Sequence, residues 1–158
     1  MNGPLCGINV LDLCPLLPGA LCTRFLADFG AEVIRIDEPP GGKRRGRRAQ
    51  DAEGVKSKEF SQEEEELTAA FDCVGRNKKS IALDLKTEEG RKVIWHLVEH
   101  SDILVEGFRP GVAKRLGIGY EDISRLNPKI IYCSISLFGQ EGPYCVTSSP
   151  APIALSLP

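Results

Sequence analysis

No Cys-x-x-Cys pair occurs among the six cysteines, Cys6, Cys14, Cys22, Cys73, Cys133 and Cys145, which argues against zinc and disulfide frameworks. Several of them sit inside apolar runs and read as small buried hydrophobes in a reducing, intracellular compartment. Cytoplasm, mitochondrion and peroxisome stay open. The first residues lack a charged stretch followed by an apolar one, so secretion is not expected. The closing Leu155-Ser156-Leu157-Pro158 is no peroxisomal signal. No apolar run is long enough to cross a bilayer, so no membrane partner is expected. No aromatic residue interleaves the basic residues 41–48, which argues against nucleic acid. Neither G-x-G-x-x-G nor G-x-x-x-x-G-K-[ST] is present, and with them goes the support for an NAD-dependent Rossmann enzyme or a P-loop. The two histidines, His96 and His100, are four apart, a spacing that can hold a metal, but no H-E-x-x-H or third ligand is visible. No metal is therefore expected, and no Ser-His-Asp or Cys-His arrangement can be argued.

What is present is the pattern of a globular α/β chain. Its 158 residues suit one domain with a substantial core, and 42% hydrophobic with 27% charged residues is ordinary for one. Residues 8–13 (INVLDL) read as a strand, residues 20–29 as a helix with Leu21, Phe25, Leu26 and Phe29 at helical spacing, and residues 32–37 (EVIRID) as a second strand. Gly30 sits where a left-handed helix stop is wanted. Residues 41–67 carry much charge and little periodicity, the mark of a mobile loop. Residues 80–85 (SIALDL) resume as a strand. Thr87 caps a helix running to about residue 100, with Val93, Ile94, Leu97 and Val98 inward. The strands DILVE and KIIYCSIS follow, separated by a Gly/Pro turn and two short helices. This alternation predicts a Rossmann-like, doubly wound and mostly parallel sheet. The expected organisation is one α/β domain over residues 1–144 and an irregular tail over residues 145–158.

In such a sheet anions and ligands meet the βα turns at the carboxyl ends of the strands. Leu17-Pro18-Gly19 lies in the first such turn, and Phe108, Arg109 and Arg115 follow the DILVE strand. Phe108 either flanks an adenine ring or belongs to the core. Arg76, Lys78 and Lys79 place three cations just before a strand, a cluster that suits phosphates or is simply solvated. Asp12, Asp37 and Asp84 are acids, bases or ribose contacts on one reading, and caps and loop carboxylates on the favoured one.

These blocks together resemble, nearly residue for residue and in the same order, the family III coenzyme A-transferases (CaiB/BaiF-like), which include the α-methylacyl-CoA racemases. The resemblance rests on LCGINVLDL and PGALCTRFLADFGAEVIRIDEP, then RNKKSIALDLKTEEGRKVI, SDILVEGFRPGVAKRLGIGYEDISRLNPKIIYCSIS and FGQEGPY. It implies a Rossmann-like domain plus a smaller one, in two chains threaded as interlocked rings. It implies acyl-CoA and a carboxylic acid as partners, and coenzyme A lying along Leu17, Pro18, Leu83, Asp84, Leu85, Lys86, Gly107, Phe108, Arg109 and Arg115. The chain departs from the family at Glu38, where some transferases have arginine, and at Leu137, where glycine is usual. The family's catalytic aspartate or histidine–aspartate pair follows the Gly-Pro-Tyr block. Residues 145–158 differ from that segment, so no residue here is assigned a catalytic role. The expected function is the acyl-CoA-binding N-terminal portion of such an enzyme, inactive alone and incomplete relative to the family fold, with the Val105-Glu106-Gly107-Phe108-Arg109 form leaning slightly to the racemases. The rival is a non-enzymatic binding or dimerisation fragment that pairs with a full-length relative.

Overall fold

A computed structural model describes residues 3–39 and 74–145. The charged loop expected at residues 41–67, and the expected tail beyond Cys145, lie outside the described residues. The elements in chain order are β1 (Asn9–Leu13), α1 (Leu17–Asp28), β2 (Glu32–Asp37), β3 (Lys78–Ala82), α2 (Glu88–Glu99), β4 (Ile103–Glu106), α3 (Val112–Arg115), α4 (Tyr120–Leu126) and β5 (Ile131–Ser134).

The five strands form one sheet in the order β3-β2-β1-β4-β5, and every pairing is parallel. The chain winds outward through β1, β2 and β3, then crosses back to place β4 on the other side of β1. That reversal makes the doubly wound architecture and puts its switch point between the carboxyl ends of β1 and β4.

Alternation along β1 divides the core into two layers. Leu11 and Leu13 face a cluster with Ile94 and Val98 of α2, Leu104, Phe108, Ala113, Ile118 and Ile123. Val10 and Cys14 face the other side with Ala27, Ala31, Val33 and Val105. α2 begins as its sequence indicates: Thr87 accepts a hydrogen bond from Gly90 N at 3.1 Å, and Glu88 and Glu89 occupy the first turn, where the helix dipole favours them. Gly30, at φ 100°, ends α1 in a backbone region that side chains disfavour.

Three local expectations are corrected. α1 starts at Leu17, because Pro18 sits in the first turn, where its missing N–H costs nothing. Its sheet-facing residues are Gly19, Ala20, Thr23 and Ala27, while Phe25 and Phe29 are half exposed. β3 runs over Lys78–Ala82, earlier than the SIALDL pattern suggests. On α2, Ile94 and Val98 are buried as expected, but Val93 is exposed.

Candidate functional site

The cleft at the switch point is formed by the β1–α1 turn and the loop after β4. Cys14 joins them: a Cβ on Gly107 would sit 3.6 Å from its Sγ, and a Cβ on Gly19 would overlap the same atom at 2.3 Å. Only glycine fits at position 19, where the Cys14 side chain takes the space of a Cβ, whereas a Cβ at position 107 would make ordinary contact. The amino end of α1 opens onto the cleft with no side-chain cap from Leu16, and Leu17 is largely exposed. Arg109 and Arg115, both exposed, make no salt bridge among the described residues. They are cations available to an anion, whereas Arg35 and Arg76 are engaged by Asp37 and Asp28.

Leu83 to Lys86 lie at the same carboxyl edge, two strands away along the sheet, in the loop between β3 and α2. Leu83 N donates to Asp37 O at 2.9 Å. Asp84 works as a turn carboxylate, as the favoured reading had it: its Oδ1 accepts from Lys86 N at 3.0 Å, and its carbonyl accepts from the Thr87 hydroxyl at 2.8 Å. Leu85 packs against the core. The Lys86 ammonium is 3.5 Å from the Glu38 carboxylate, so the family departure at Glu38 puts a negative charge beside a candidate phosphate ligand. All ten candidate residues thus lie at the carboxyl edge, but in two groups.

Two readings change. Phe108 is 8% exposed and belongs to the core beneath the cleft, so its ring is not presented as an adenine flank. The cations at Arg76, Lys78 and Lys79 lie at the entrance of β3, the sheet edge opposite the cleft, and each meets a carboxylate. Arg76 pairs with Asp28 at 2.7 Å and Lys79 pairs with Glu32. The Arg76 guanidinium, aided by the Asn77 amide, holds the Asp28 carboxyl below the usual carboxylate range. Lys78 is buried and reaches Asp12 Oδ2, Ala20 O and Thr23 Oγ1, each at 2.8 Å. Asp12 also accepts from the Thr23 hydroxyl at 2.6 Å and from Cys14 N at 2.9 Å. Its carboxylate closes the turn after β1 through Cys14 N, in line with the favoured reading, and is also a buried tie to Lys78 and Thr23.

One functional group escaped the sequence reading. Glu106, 3% exposed at the end of β4, accepts from Phe108 N at 2.7 Å and from the Ser134 hydroxyl, which in turn accepts from Gln140 Nε2. This chain fixes the loop carrying Gly107 and Arg109 against the segment after β5. The available signal was a carboxylate closing an otherwise apolar strand, Ile103-Leu104-Val105-Glu106.

Burial pushes the Cys14 thiol strongly up, reinforced by the Asp12 charge and hydrogen bond and by Glu106. Burial likewise raises Cys133 and Tyr132, the latter also through Glu106. Cys14 is therefore a neutral packing group at the cleft floor and no nucleophile. N-ethylmaleimide at pH 8 should label exposed Cys6 and Cys22 and leave Cys14 unmodified until the chain unfolds, as read by peptide mass mapping. The stabilisation linked to this thiol is complete below the unfolded thiol pKa of about 8.5 and erodes as pH rises above it. Fast labelling of Cys14 in the folded chain would show an open cleft floor.

A sequence model of CoA-transferase family III matches residues 5–154. The chain belongs to CoA-transferase family III. It is 40% identical over 153 residues to an acyl-CoA transferase of Fusarium pseudograminearum, covering 97% of this chain and 33% of that protein. With a succinate–glutarate CoA-transferase of Agrobacterium fabrum it shares 44% identity over 143 residues, 89% of this chain and 34% of that one. The crystal structure of a CaiB/BaiF family protein from Brucella suis superposes with a TM-score of 0.72 at 35% identity, over 92% of this chain and 36% of that one. The chain thus spans about a third of the length of the curated relatives it matches. Family III membership agrees with the all-parallel α/β fold and with a CoA thioester as the family's substrate. No helix among the described residues is long and apolar enough to cross a membrane.

Proposed function

We propose that this chain forms the CoA-binding part of a family III enzyme that moves coenzyme A between carboxylic acids. The observation carrying this reading is that the exposed arginines Arg109 and Arg115, which make no salt bridge among the described residues, follow β4 at the same carboxyl edge of the sheet as the uncapped amino end of α1. Guanidinium forks and helix amino ends both suit phosphate oxygens, and coenzyme A is rich in them. The other candidates then take graded roles. Leu17, Pro18 and Gly107 shape the cleft wall, Leu83, Asp84, Leu85 and Lys86 form a second wall, and Phe108 supports the floor. Glu106 is a positioning residue that holds the Gly107–Arg109 loop. CoA transfer is favoured over racemisation because the similar Agrobacterium protein is named as a succinate–glutarate CoA-transferase. No catalytic residue is assigned, and the chain by itself is expected to lack transfer activity.

Calorimetric titration with coenzyme A tests the reading, with circular dichroism confirming a folded sample. Saturable binding is expected, weakened about ten- to hundredfold in Arg109→Ala and in Arg115→Ala, the loss of one charge-assisted hydrogen bond or more. A folded chain that gives no heat with coenzyme A, or variants that bind like the parent, would overturn the assignment.

A further inference from the structure

α2 starts at the carboxyl edge of the sheet and ends at the amino edge, away from the cleft. Its last turn carries His96 and Glu99, and His100 caps it, all three exposed. The sequence shows the two histidines one helical turn apart with no evident third ligand; the fold supplies it in Glu99. Positions i, i+3 and i+4 of a helix share one face, and one ligand atom from each of the three residues lies within 4.8 Å of the other two. His96 Nδ1 is 3.3 Å from Glu99 Oε2. Two ligands at zinc bond lengths and a tetrahedral angle are separated by about 3.4 Å. The two imidazole rings stand 5.1 Å apart at 86°, edge to face, with a nitrogen of each within 4.8 Å of the other and of the Glu99 carboxylate.

We propose that His96, Glu99 and His100 form a surface binding site for zinc or a chemically similar first-row divalent cation. Two imidazoles and one carboxylate are a donor set that such borderline cations prefer, while magnesium demands oxygen donors in octahedral array. The site sits at the carboxyl end of a twelve-residue helix, where the helix dipole adds attraction for a cation. Its exposure leaves the remaining coordination position to water or to a group from another molecule. Binding ties the last turn of α2 to itself and raises the stability of the folded chain.

The test titrates the protein with zinc chloride by calorimetry, beside Glu99→Gln, His100→Asn and the His96→Asn/His100→Asn pair, all of which keep the cysteines. The substitutions are at exposed positions, so folding should persist, and circular dichroism checks it. One equivalent of zinc is expected to disappear in the double variant, with affinity for it falling about tenfold or more in His100→Asn. In thermal unfolding, zinc should raise the parent's Tm more than that of the double variant. An isotherm and a Tm shift unchanged by the double variant would assign zinc to the thiols and overturn the proposal. So would magnesium binding that equals zinc binding, which would mark a bare electrostatic attraction.

Discussion

Asp12→Ala is expected to remove about 3–5 kcal/mol of unfolding free energy, because it strands a buried ammonium. Lys78 and Asp12 have side chains only 1% and 0% exposed. The ammonium also has Ala20 O and Thr23 Oγ1 as partners, but these are neutral dipoles and cannot balance its charge. The loss would be a large fraction of the roughly 5–15 kcal/mol that holds a typical domain together. Urea unfolding followed by circular dichroism measures it as a lower midpoint. The double variant Asp12→Leu/Lys78→Met should recover most of the loss, since an apolar pair of similar volume avoids desolvating both charges. With the singles Asp12→Leu and Lys78→Met, the double variant closes a cycle that separates the cost of a stranded charge from the net worth of the pair. If Asp12→Ala costs under about 1 kcal/mol, the value of an exposed pair, the ammonium has a route to water.

Gly90→Ala is expected to do damage of a different kind, by volume. A Cβ at Gly90 would meet the Asp84 carbonyl oxygen at 2.1 Å and its carbon at 2.8 Å, and Thr87 Oγ1 at 3.0 Å. That carbonyl already accepts from Thr87 N and from the Thr87 hydroxyl, so the turn cannot shift without loosening the start of α2. Overpacking costs about 1–3 kcal/mol, and a weakened cap adds about 1 kcal/mol. Thermal unfolding should show Tm lower by about 5–15 °C. Lys92→Ala, on the exposed face of the same helix, should stay within about 0.5 kcal/mol of the parent. Coenzyme A affinity should fall with Gly90→Ala, since the displaced turn is the one carrying Leu83 to Lys86. A Tm within about 1 °C of the parent would show that the turn gives way freely.

Much of this was legible in the chain. The strands with alternating or continuous apolar residues, β1, β2 and β4, fall where periodicity puts them, and Thr87 and Gly30 mark helix ends through chemistry that is local. Apart from the start of α1, set locally by Pro18, and the outward-facing Val93, the misreadings involve partners distant in sequence. Nothing near Lys78 and Lys79 reads as a strand, because two lysines oppose that pattern. Asp12 and Glu32, contributed by other strands, make the conformation favourable there, and the strand starts early. On α1 the bulky apolar stripe was visible, but the sheet accepts the small face, since Thr23 and Ala20 must sit close enough to bond Lys78. Phe108 looked equally suited to a ring stack and to a core, and only the fold decides. Glu106 went unassigned because its value lies in Ser134 and Gln140, twenty-eight and more residues away.

The ion pairs at the entrance of β3 have a consequence for how this fold can diversify. Arg76, Lys78 and Lys79 each dock on a carboxylate that the first third of the chain has already set in place. A slip of one residue would present the wrong face of the strand and leave Asp12 without its cation. The returning strand is therefore addressed by charge, whatever precedes it. The address lies in the strand and its carboxylate partners, not in the connection from Asp37 to Lys78. That connection is where lineages can add or exchange sequence, or an engineer can graft a peptide, while the sheet and its cleft keep their geometry.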